Sequence, residues 1–452
     1  MPYTVPTGQA GAAAPSTLRQ ELQSRLDTLA DVHRVPGAQL FVDTGAETFS
    51  LHTGVADAAT RAPLIPETAV PLGSLTKPYT AALVLLLADD GDLDLDEPVA
   101  DHLPELRGLP RVSVRHLLSH TGGLPTGPDS DTASATGGAR YLASLSTPDQ
   151  ALFPPGSDFS YSNAGYVAAG RLVESVTGMP WHEAVRALLL EPLGTVPAFL
   201  GDTTAARPLA TGHTVNTATG QVRPVRQNLA PLEAPAGALL AGAADLAALG
   251  HALAGRSDAL PPAVAKEMRR GERAARPGTL ADGWGLGVAL YRRGGRVWYG
   301  HDGNAQGTSC HLRAEPESGA VVAFTANAGA GTALWRDLAA DLEHVTGLRV
   351  PAAAAPAPDR GRPLAPPAAC LGTYRNGGTP YRVTAGDDGA AALSVDGDLP
   401  LPLVCYADLS YDLVDPATGR REPGGRFHRD PVSRRVERIQ VSGRTARRTD
   451  DG

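Results

Sequence analysis

The sequence predicts an α/β protein of the α+β kind, in which an antiparallel sheet flanked by helices is followed by a small antiparallel β-domain. Strand-like runs occur on both sides of a mostly helical section that extends over 74–253. A Pro/Ala-rich tract then interrupts the chain, and short β-rich runs separated by turn residues follow it. We therefore expect a flexible leader at 1–15, a large domain at 16–349, a linker at 350–369 and a small β-domain at 370–448.

The large domain is predicted to begin with a helix and a hairpin. Leucines recur at helical spacing at positions 18, 22, 26 and 29, and Pro36-Gly37 ends this helix. Two strand-like runs, 38–44 and 48–55, flank Gly45-Ala46, which predicts a hairpin at an edge of the sheet. The later elements of this domain are predicted as apolar helices around 83–87, 166–176 and 183–190, strands at 285–291, 296–299, 308–313 and 320–325, and a helix at 334–345.

The region after the large domain has a different composition. The tract at 350–369, VPAAAAPAPDRGRPLAPPAA, is rich in Pro and Ala, so we expect a stiff, extended linker. Residues 370–447 alternate β-rich runs with Gly, Asp and Pro turns. This pattern predicts either a small antiparallel β-barrel or a sandwich.

Composition excludes several classes of protein. The chain has 452 residues, of which 42% are hydrophobic and 19% charged, so it can bury a large core. The formal net charge of -8 gives no overall attraction to nucleic acid, and no long basic tract provides one locally. We expect no nucleic-acid partner and a monomeric protein.

The N-terminal residues and the cysteines bear on the compartment and on cofactors. The first twenty residues contain no basic residue before Arg19 and no apolar run, so we expect no secretory signal and a cytoplasmic protein. The longest apolar stretch, 79–88, is too short to cross a bilayer, and we expect no membrane contact. The cysteines at 310, 370 and 405 are too scattered for a disulfide framework or a metal site, and we expect no cofactor.

Lysine is the most informative residue type in this chain. Of 40 basic residues only two are lysines, and Lys77 follows Ser74 by three positions in PLGSLTKPYTAALVLLL. In a helix that begins at Ser74 the two side chains share a face, so the ammonium nitrogen can reach the hydroxyl. A desolvated lysine can remove the serine proton, whereas arginine stays protonated. A chance Ser-x-x-Lys on a surface helix is the alternative, but the helix that follows is apolar nearly all round and predicts burial.

Two further segments carry candidate polar groups. In FPPGSDFSYSNAGY, Tyr161 and Asn163 lie just before an apolar helix, where a phenol can exchange a proton and an amide can orient its neighbours. In WYGHDGNAQGTSC, His301 supplies a switchable donor, and Gly303 lets a substrate lie close to an edge strand. Each segment alone is equally compatible with a structural role.

Taken together and in this order, the three segments resemble the serine-reactive β-lactamase and penicillin-binding-protein superfamily, in particular its class C-like branch. The resemblance covers about 15–348 and extends to non-catalytic stretches such as VSVRHLLSHTGGLP, FSYSNAGYVAAGRLVESVTG and PAGALLAGAADLAALGHAL. It implies a β-lactamase/transpeptidase-like fold with an all-α subdomain. It also implies that Ser74 is the acylated nucleophile, that Lys77 and Tyr161 share the general-base and general-acid work, and that Asn163 orients them.

The resemblance also implies a binding role for several other residues. His301, Asp302 and Gly303 occupy the third motif, and the backbone N–H groups of Ser74 and Asn304 would form the oxyanion hole. Gly237, in the stretch that begins PAGALL, is assigned to substrate binding with Gly303 and Asn304.

The third motif departs from the pattern of β-lactamases and many cell-wall carboxypeptidases. Those proteins carry Lys-Thr-Gly, in which the lysine attracts a substrate carboxylate, whereas this chain has His-Asp-Gly. A mostly neutral imidazole gives up much of that attraction. Ester, thioester or amide substrates without a free carboxylate at that position are therefore favoured over β-lactams.

The whole layout resembles the penicillin-binding-protein-type thioesterases of nonribosomal peptide pathways, which add a lipocalin-like β-domain to the catalytic domain. That resemblance implies that Ser74 takes a peptide from a peptidyl carrier protein and that the amine of the peptide closes a macrolactam. Ten arginines over 420–448 suggest contact with the carrier protein or with the mouth of the cleft, and Arg444 is our first choice. A solvated strand face is the alternative.

Three functions stay open on sequence grounds. The cyclising thioesterase predicts cyclic product from a peptidyl thioester that ends in a D-residue. A D-stereospecific peptidase, aminopeptidase or esterase predicts hydrolysis alone. A catalytically inactive binding protein predicts that Ser74 does not react with an acylating probe.

Overall fold

The computed structural model describes residues 17–449 apart from 110, 129–132, 134–135, 217, 356–359, 387–389, 417 and 431. The predicted leader at 1–15 lies outside the described residues. Across the described residues, no helix combines the length and the apolar character that are needed to cross a bilayer.

An antiparallel sheet of seven strands organises the large domain, in the order β2-β1-β11-β10-β9-β8-β7. Its strands are β1 (Gly37–Asp43), β2 (Thr48–Gly54), β7 (Gly283–Trp284), β8 (Ala289–Arg293), β9 (Arg296–Gly303), β10 (Ser309–Glu315) and β11 (Ala320–Ala326). The predicted hairpin of β1 and β2 is present, with β2 at the edge of the sheet. Four short strands lie outside this sheet and pair as β3 (Val70–Pro71) with β6 (Leu240–Ala241) and β4 (Gly212–Asn216) with β5 (Gln221–Val225).

Helices cover both faces of this sheet, which explains why β10 and β11 are buried at every residue. The helices are α1 (Thr17–Val32), α2 (Thr76–Asp89), α3 (Val114–Leu118), α4 (Gly138–Leu145), α5 (Asn163–Thr177), α6 (Trp181–Val185), α7 (Ala234–Gly237), α8 (Ala243–Leu253), α9 (Pro262–Arg269) and α10 (Gly331–Thr346). Alternate residues of β11 belong to different cores: Val321 packs with α8, and Val322 packs with α1 and α10.

Helix α2 lies at the start of the predicted helical section. Eleven of its residues are buried, as the apolar sequence predicts. The predicted helix at 183–190 is α6 followed by a π-helical turn at Arg186–Leu190. The predicted strand at 285–291 starts later, because Gly287 adopts a left-handed φ of +79° between β7 and β8.

The C-terminal strands settle the choice between barrel and sandwich. They form a closed antiparallel barrel in which sequential neighbours pair, and β12 closes it against β19. The barrel strands are β12 (Gly372–Asn376), β13 (Thr379–Ala385), β14 (Ala391–Val395), β15 (Leu401–Cys405), β16 (Ser410–Val414), β17 (Arg421–Arg429), β18 (Val436–Val441) and β19 (Arg444–Arg448).

The linker is attached to both domains at its described residues. The buried Arg313 side chain donates to the carbonyl of Pro351 at 2.9 Å. Farther along, the Leu364 N–H donates to the Cys405 carbonyl at 2.9 Å. The described linker residues therefore join the large domain to the barrel through hydrogen bonds as well as through the chain.

Candidate active site

Ser74 lies in a short 3-10 turn, Gly73–Leu75, directly before α2. The α-helix thus begins two residues later than a start at Ser74 would require, but the expected contact is present: Lys77 Nζ lies 3.1 Å from Ser74 Oγ. Gly73 has φ +54°, and a β-carbon there would collide with the carbonyl of Asn304. The turn therefore needs glycine in order to bring Ser74 against the loop that follows β9.

Lys77 is completely buried and its amine has two hydrogen-bond partners, Ser74 Oγ and the Ala236 carbonyl at 3.0 Å. Burial and, to a smaller extent, the positive charge of Arg444 together lower the pKa of Lys77 to about 7, and Glu233 opposes the shift. A neutral amine is consequently available near pH 7 beside the serine hydroxyl. Such an amine can accept the serine proton.

Tyr161 precedes α5 and its hydroxyl lies 3.4 Å from His301 Nε2. Lys77 Nζ lies 5.0 Å from the centre of the Tyr161 ring. Burial raises the pKa of Tyr161 above its ordinary value, so the phenol keeps its proton at neutral pH. The electrostatics therefore favour Lys77 as the first proton acceptor and leave Tyr161 as a donor.

Asn163 is the first residue of α5, and its amide nitrogen donates to Glu233 Oε1 at 3.3 Å. The other side-chain atom, Oδ1, is buried without a hydrogen-bond partner among the described residues. Asn163 therefore contacts Glu233, whose charge acts on Lys77, but it does not hydrogen-bond to Lys77 through Oδ1. A buried acceptor without a partner is uncommon in a folded protein and is available to a hydrogen-bond donor.

His301 faces the site from β9. Its Nδ1 lies 2.5 Å from the Asp302 carbonyl, which leaves Nε2 as the acceptor for the Tyr161 hydroxyl. Burial, with a smaller contribution from Lys77, lowers the pKa of His301 to about 3. The imidazole is therefore neutral at physiological pH, which agrees with the mostly neutral histidine expected at the third motif.

Asp302 points to the opposite face of the sheet, because successive side chains of a strand alternate. Its carboxylate lies 2.7 Å from Arg313 Nη1 and 2.8 Å from His311 Nδ1. Of the third motif, only His301 and Gly303 thus face the reactive serine.

Gly303 and Asn304 bring the end of β9 against the nucleophile turn. A β-carbon on Gly303 would lie 2.7 Å from Leu75 N, so close packing explains the glycine without a substrate. Although β9 is internal to the sheet, it pairs with β8 only as far as Gly300. The last residues of β9 therefore have no partner in β8 and can border a cleft. Asn304 is exposed, and its backbone adjoins that of Gly73.

Gly237 ends α7 and is buried behind the nucleophile turn. A β-carbon there would meet Leu229 at 3.5 Å and the Gly73 carbonyl carbon at 3.9 Å. The preceding residue, Ala236, accepts the hydrogen bond from Lys77. Gly237 therefore lies against the turn that carries Ser74 and forms part of the wall behind it.

Arg444 comes from the barrel and reaches the same site. It is the first residue of β19, and its guanidinium carbon lies 5.3 Å from the centre of the Tyr161 ring. Its charge also lowers the pKa of Lys77. The C-terminal domain therefore contributes a cation to the site of the large domain.

Sequence reasoning missed two residues that belong to this neighbourhood. The His120 ring lies 4.3 Å from the Tyr161 ring, and its Nδ1 accepts the Ser162 N–H at 3.0 Å. Glu233 is buried beside Asn163. His120 lies in a stretch that carried the family resemblance, but nothing in its spacing indicates contact with Tyr161, because that contact depends on the tertiary fold.

Fold and site together define a serine hydrolase in which a buried lysine lies beside the serine. The β-lactamase family model matches residues 22–345. The chain belongs to the β-lactamase and penicillin-binding-protein family of serine hydrolases.

Three known proteins illustrate the similarity. Penicillin-binding protein 4 of Amycolatopsis lactamdurans is 34% identical over 381 residues, which cover 79% of this chain and 98% of that protein. The crystal structure of SurE, also solved with D-Leu, is 38% identical with a TM-score of 0.85 and covers 96% of this chain and 99% of its own. D-amino acid amidase of Ochrobactrum anthropi SV3, complexed with L-phenylalanine amide, is 26% identical with a TM-score of 0.62 and covers 74% of this chain and 98% of its own.

Proposed function

We propose that this enzyme removes a peptide from the thioester of a peptidyl carrier protein and cyclises it head to tail through an acyl-Ser74 intermediate. The observation that carries the proposal is the position of the barrel, which presents Arg444 beside Tyr161. The similarity to SurE supports it, because that similarity includes the barrel and SurE binds D-Leu in one structure. We place this activity in the cytoplasm, where carrier proteins operate.

The first half-reaction forms the acyl-enzyme. Ser74 Oγ attacks the thioester carbonyl while Lys77 takes the hydroxyl proton, and the backbone N–H groups of Ser74 and Asn304 stabilise the oxyanion. The C–S bond then breaks, and the thiol leaves with a proton from Tyr161 or Lys77. In this scheme Asn163 orients the reacting groups, and Gly237 and Gly303 shape the wall that the acyl chain contacts.

The second half-reaction releases the peptide. Its own amine attacks the acyl-Ser74 ester, the C–O bond breaks, and the amine proton passes through Lys77 to restore the serine hydroxyl. Water gives the free acid by the same route, so positioning of the amine and exclusion of water decide the product. His301, which is neutral, cannot attract a carboxylate by charge.

Arg444 has a separate part in this proposal. A guanidinium at the mouth of the cleft can bind an anion with two parallel hydrogen bonds, such as the phosphate of the phosphopantetheine arm. Some of the other arginines over 420–448, such as the exposed Arg421 and Arg429, would lie toward the acidic carrier protein. By contrast, Arg438 pairs with Asp158, and Arg448 hydrogen-bonds to Tyr374.

The test uses a synthetic peptidyl thioester that ends in a D-residue, with the matching L-peptide as its control. We expect cyclic product from the D-peptide, measured by liquid chromatography and mass spectrometry, and no product from a Ser74→Ala variant. Free acid as the only product from the D-peptide would refute cyclisation.

A second candidate function is a D-stereospecific amidase, peptidase or esterase. The similarity to D-amino acid amidase favours it. This candidate predicts hydrolysis of simple D-amino acid amides or esters, without cyclic product from the thioester. A non-catalytic role, the third possibility, predicts that Ser74 resists a fluorophosphonate probe.

A further inference from the structure

The barrel holds the backbone of the short segment that ends at Tyr161. Thr445 Oγ1 donates to the Phe159 carbonyl at 2.8 Å, and Thr445 N donates to Ser160 Oγ at 3.1 Å. Gln440 Nε2 also donates to the Phe159 carbonyl, at 3.3 Å. These contacts join the two domains directly at the residues that precede the tyrosine.

Both domains form hydrogen bonds with the backbone of the segment that ends at Tyr161. The Tyr161 N–H donates to the Gly443 carbonyl of the barrel at 2.9 Å. From the large domain, the His120 carbonyl accepts the Ser160 N–H at 3.0 Å. The backbone that carries Tyr161 therefore runs between the barrel and the loop that contains His120.

One barrel amide connects this segment to the start of α5. Asn376 Nδ2 donates to the Thr445 carbonyl at 2.8 Å and to Ser160 Oγ at 3.5 Å. Its Oδ1 accepts the Thr126 N–H at 2.7 Å, and the Thr126 carbonyl accepts the N–H of Asn163. Asn376 thus contacts both of the segments that position Tyr161 and Asn163.

These barrel side chains have almost no exposure, at 2% for Asn376, 1% for Gln440 and 0% for Thr445. A buried polar group that loses its partner is costly, so these hydrogen bonds favour one position of the barrel against the large domain. Proton transfer needs heavy atoms within about 2.6–3.2 Å, and a misplacement of about 1 Å can cost about 100-fold in rate. The position of Tyr161 therefore depends on how the barrel docks against the large domain.

We propose that Asn376, Gln440 and Thr445 form a clamp through which the barrel positions Tyr161 for proton transfer at Ser74. They are positioning residues, since they contact the backbone of the tyrosine segment and none of the reacting atoms. The inference rests on acylation of Ser74, as the proposed function does, but it does not depend on cyclisation.

The first test is Thr445→Val, which keeps the shape of the side chain and removes the hydroxyl that binds the Phe159 carbonyl. We expect the rate of Ser74 labelling by a fluorophosphonate probe to fall about tenfold. We expect kcat for a p-nitrophenyl ester to fall equally while KM stays within about twofold, because ground-state binding is unchanged. Thr445→Ser, which keeps the hydroxyl, should label at nearly the native rate, and an unchanged rate in Thr445→Val overturns the proposal.

A double-mutant cycle tests whether the effect passes through the tyrosine. In a Tyr161→Phe background the clamp has no hydroxyl to position, so adding Thr445→Val should reduce labelling by less than about twofold. A further tenfold loss in that background would show that the clamp acts elsewhere.

Tyr374→Phe is the matched control for a general loss of barrel stability. It also removes a buried barrel hydroxyl, but the partners of that hydroxyl, the Cys370 carbonyl and Arg448, lie outside the large domain. Labelling of Tyr374→Phe should proceed at the native rate. Equal losses of labelling in Tyr374→Phe and Thr445→Val would overturn the clamp. If the labelling results are as expected but the peptidyl thioester gives no cyclic product, only the proposed function is overturned.

Discussion

At the scale of single residues, the chemistry of this enzyme depends on where its lysines lie. Lys77 is fully buried against Ser74, and its pKa is lowered to about 7. Lys266, the other lysine of the chain, is exposed on α9. A sequence that uses arginine almost everywhere else retains a lysine where a proton has to be released, because a guanidinium stays charged.

Replacing Lys77 by Arg tests this contrast. We expect the acylation rate, measured by burst kinetics or probe labelling, to fall by at least about 100-fold, since the guanidinium cannot accept the serine proton. Lys266→Arg is the control and should keep the native rate. Full activity of Lys77→Arg would contradict a role for the amine as base.

At the scale of elements, β9 places interacting side chains on both faces of the sheet. His301 faces Tyr161, Asp302 binds Arg313 on the other face, and Gly303 packs against the nucleophile turn. The sequence predicted a strand only to position 299, whereas β9 extends to Gly303. Its last residues pair with β10, and that pairing could not be derived from local β-propensity.

Gly303→Ala probes the contact between β9 and the nucleophile turn. The new methyl group would meet Leu75 N at 2.7 Å, so the turn must shift. We expect Ser74 labelling to fall about tenfold or more and the melting temperature to drop. Gly329→Ala, at a glycine with nothing within 4 Å of its β-carbon position, should change neither.

Asp302→Ala probes the opposite face of the same strand. Arg313 is completely buried, and loss of its carboxylate partner should lower the free energy of unfolding by about 3 kcal/mol. Denaturation by urea measures this loss. Asp337→Ala, which removes an exposed partner of His33, should cost less than about 0.5 kcal/mol, and equal effects of the two variants would refute the importance of the buried pair.

At the scale of the whole molecule, two domains build one site. The large domain supplies Ser74, Lys77 and Tyr161, and the barrel supplies Arg444. The positive charge of Arg444 lowers the pKa of Lys77, so the barrel influences the protonation of the proposed base. The order of the domains was readable from composition, and Arg444 was our first choice for the mouth of the cleft or the carrier protein, but its contact with Tyr161 was not readable from the sequence.

Arg444→Ala should move the pH dependence of acylation. Acylation requires the neutral amine of Lys77, so the rate should rise with pH through a midpoint near the lowered pKa, about 7. Removal of the nearby cation raises the pKa of Lys77, and the midpoint should therefore shift to higher pH. Arg382→Ala, at an exposed barrel arginine, should leave the midpoint in place.

The same variant bears on substrate binding. With a carrier-bound or thioester-mimic peptide, we expect kcat/KM of Arg444→Ala to fall about tenfold even at the pH optimum, because a charged hydrogen bond to the anion is lost. Unchanged kinetics with these substrates, together with an unchanged midpoint, would remove Arg444 from the proposed function.

Local sequence was sufficient for the contact between Ser74 and Lys77, since residues three apart in a helical turn lie on one face. It was also sufficient for the strands and helices with a clear apolar period. The distribution of the two lysines indicated the base before any geometry was available. These features depend on neighbours in the chain or on residue type.

Contacts between distant segments required the folded chain. Hydrophobic period can place a residue on a face but cannot select its partner across a sheet or a domain boundary. The approach of Arg444 to Tyr161, the clamp of Asn376 and Thr445, and the burial that lowers the pKa of Lys77 all arise from packing between separate elements. Residue types and spacing therefore determine which groups can react here, and tertiary packing determines their protonation and their distance.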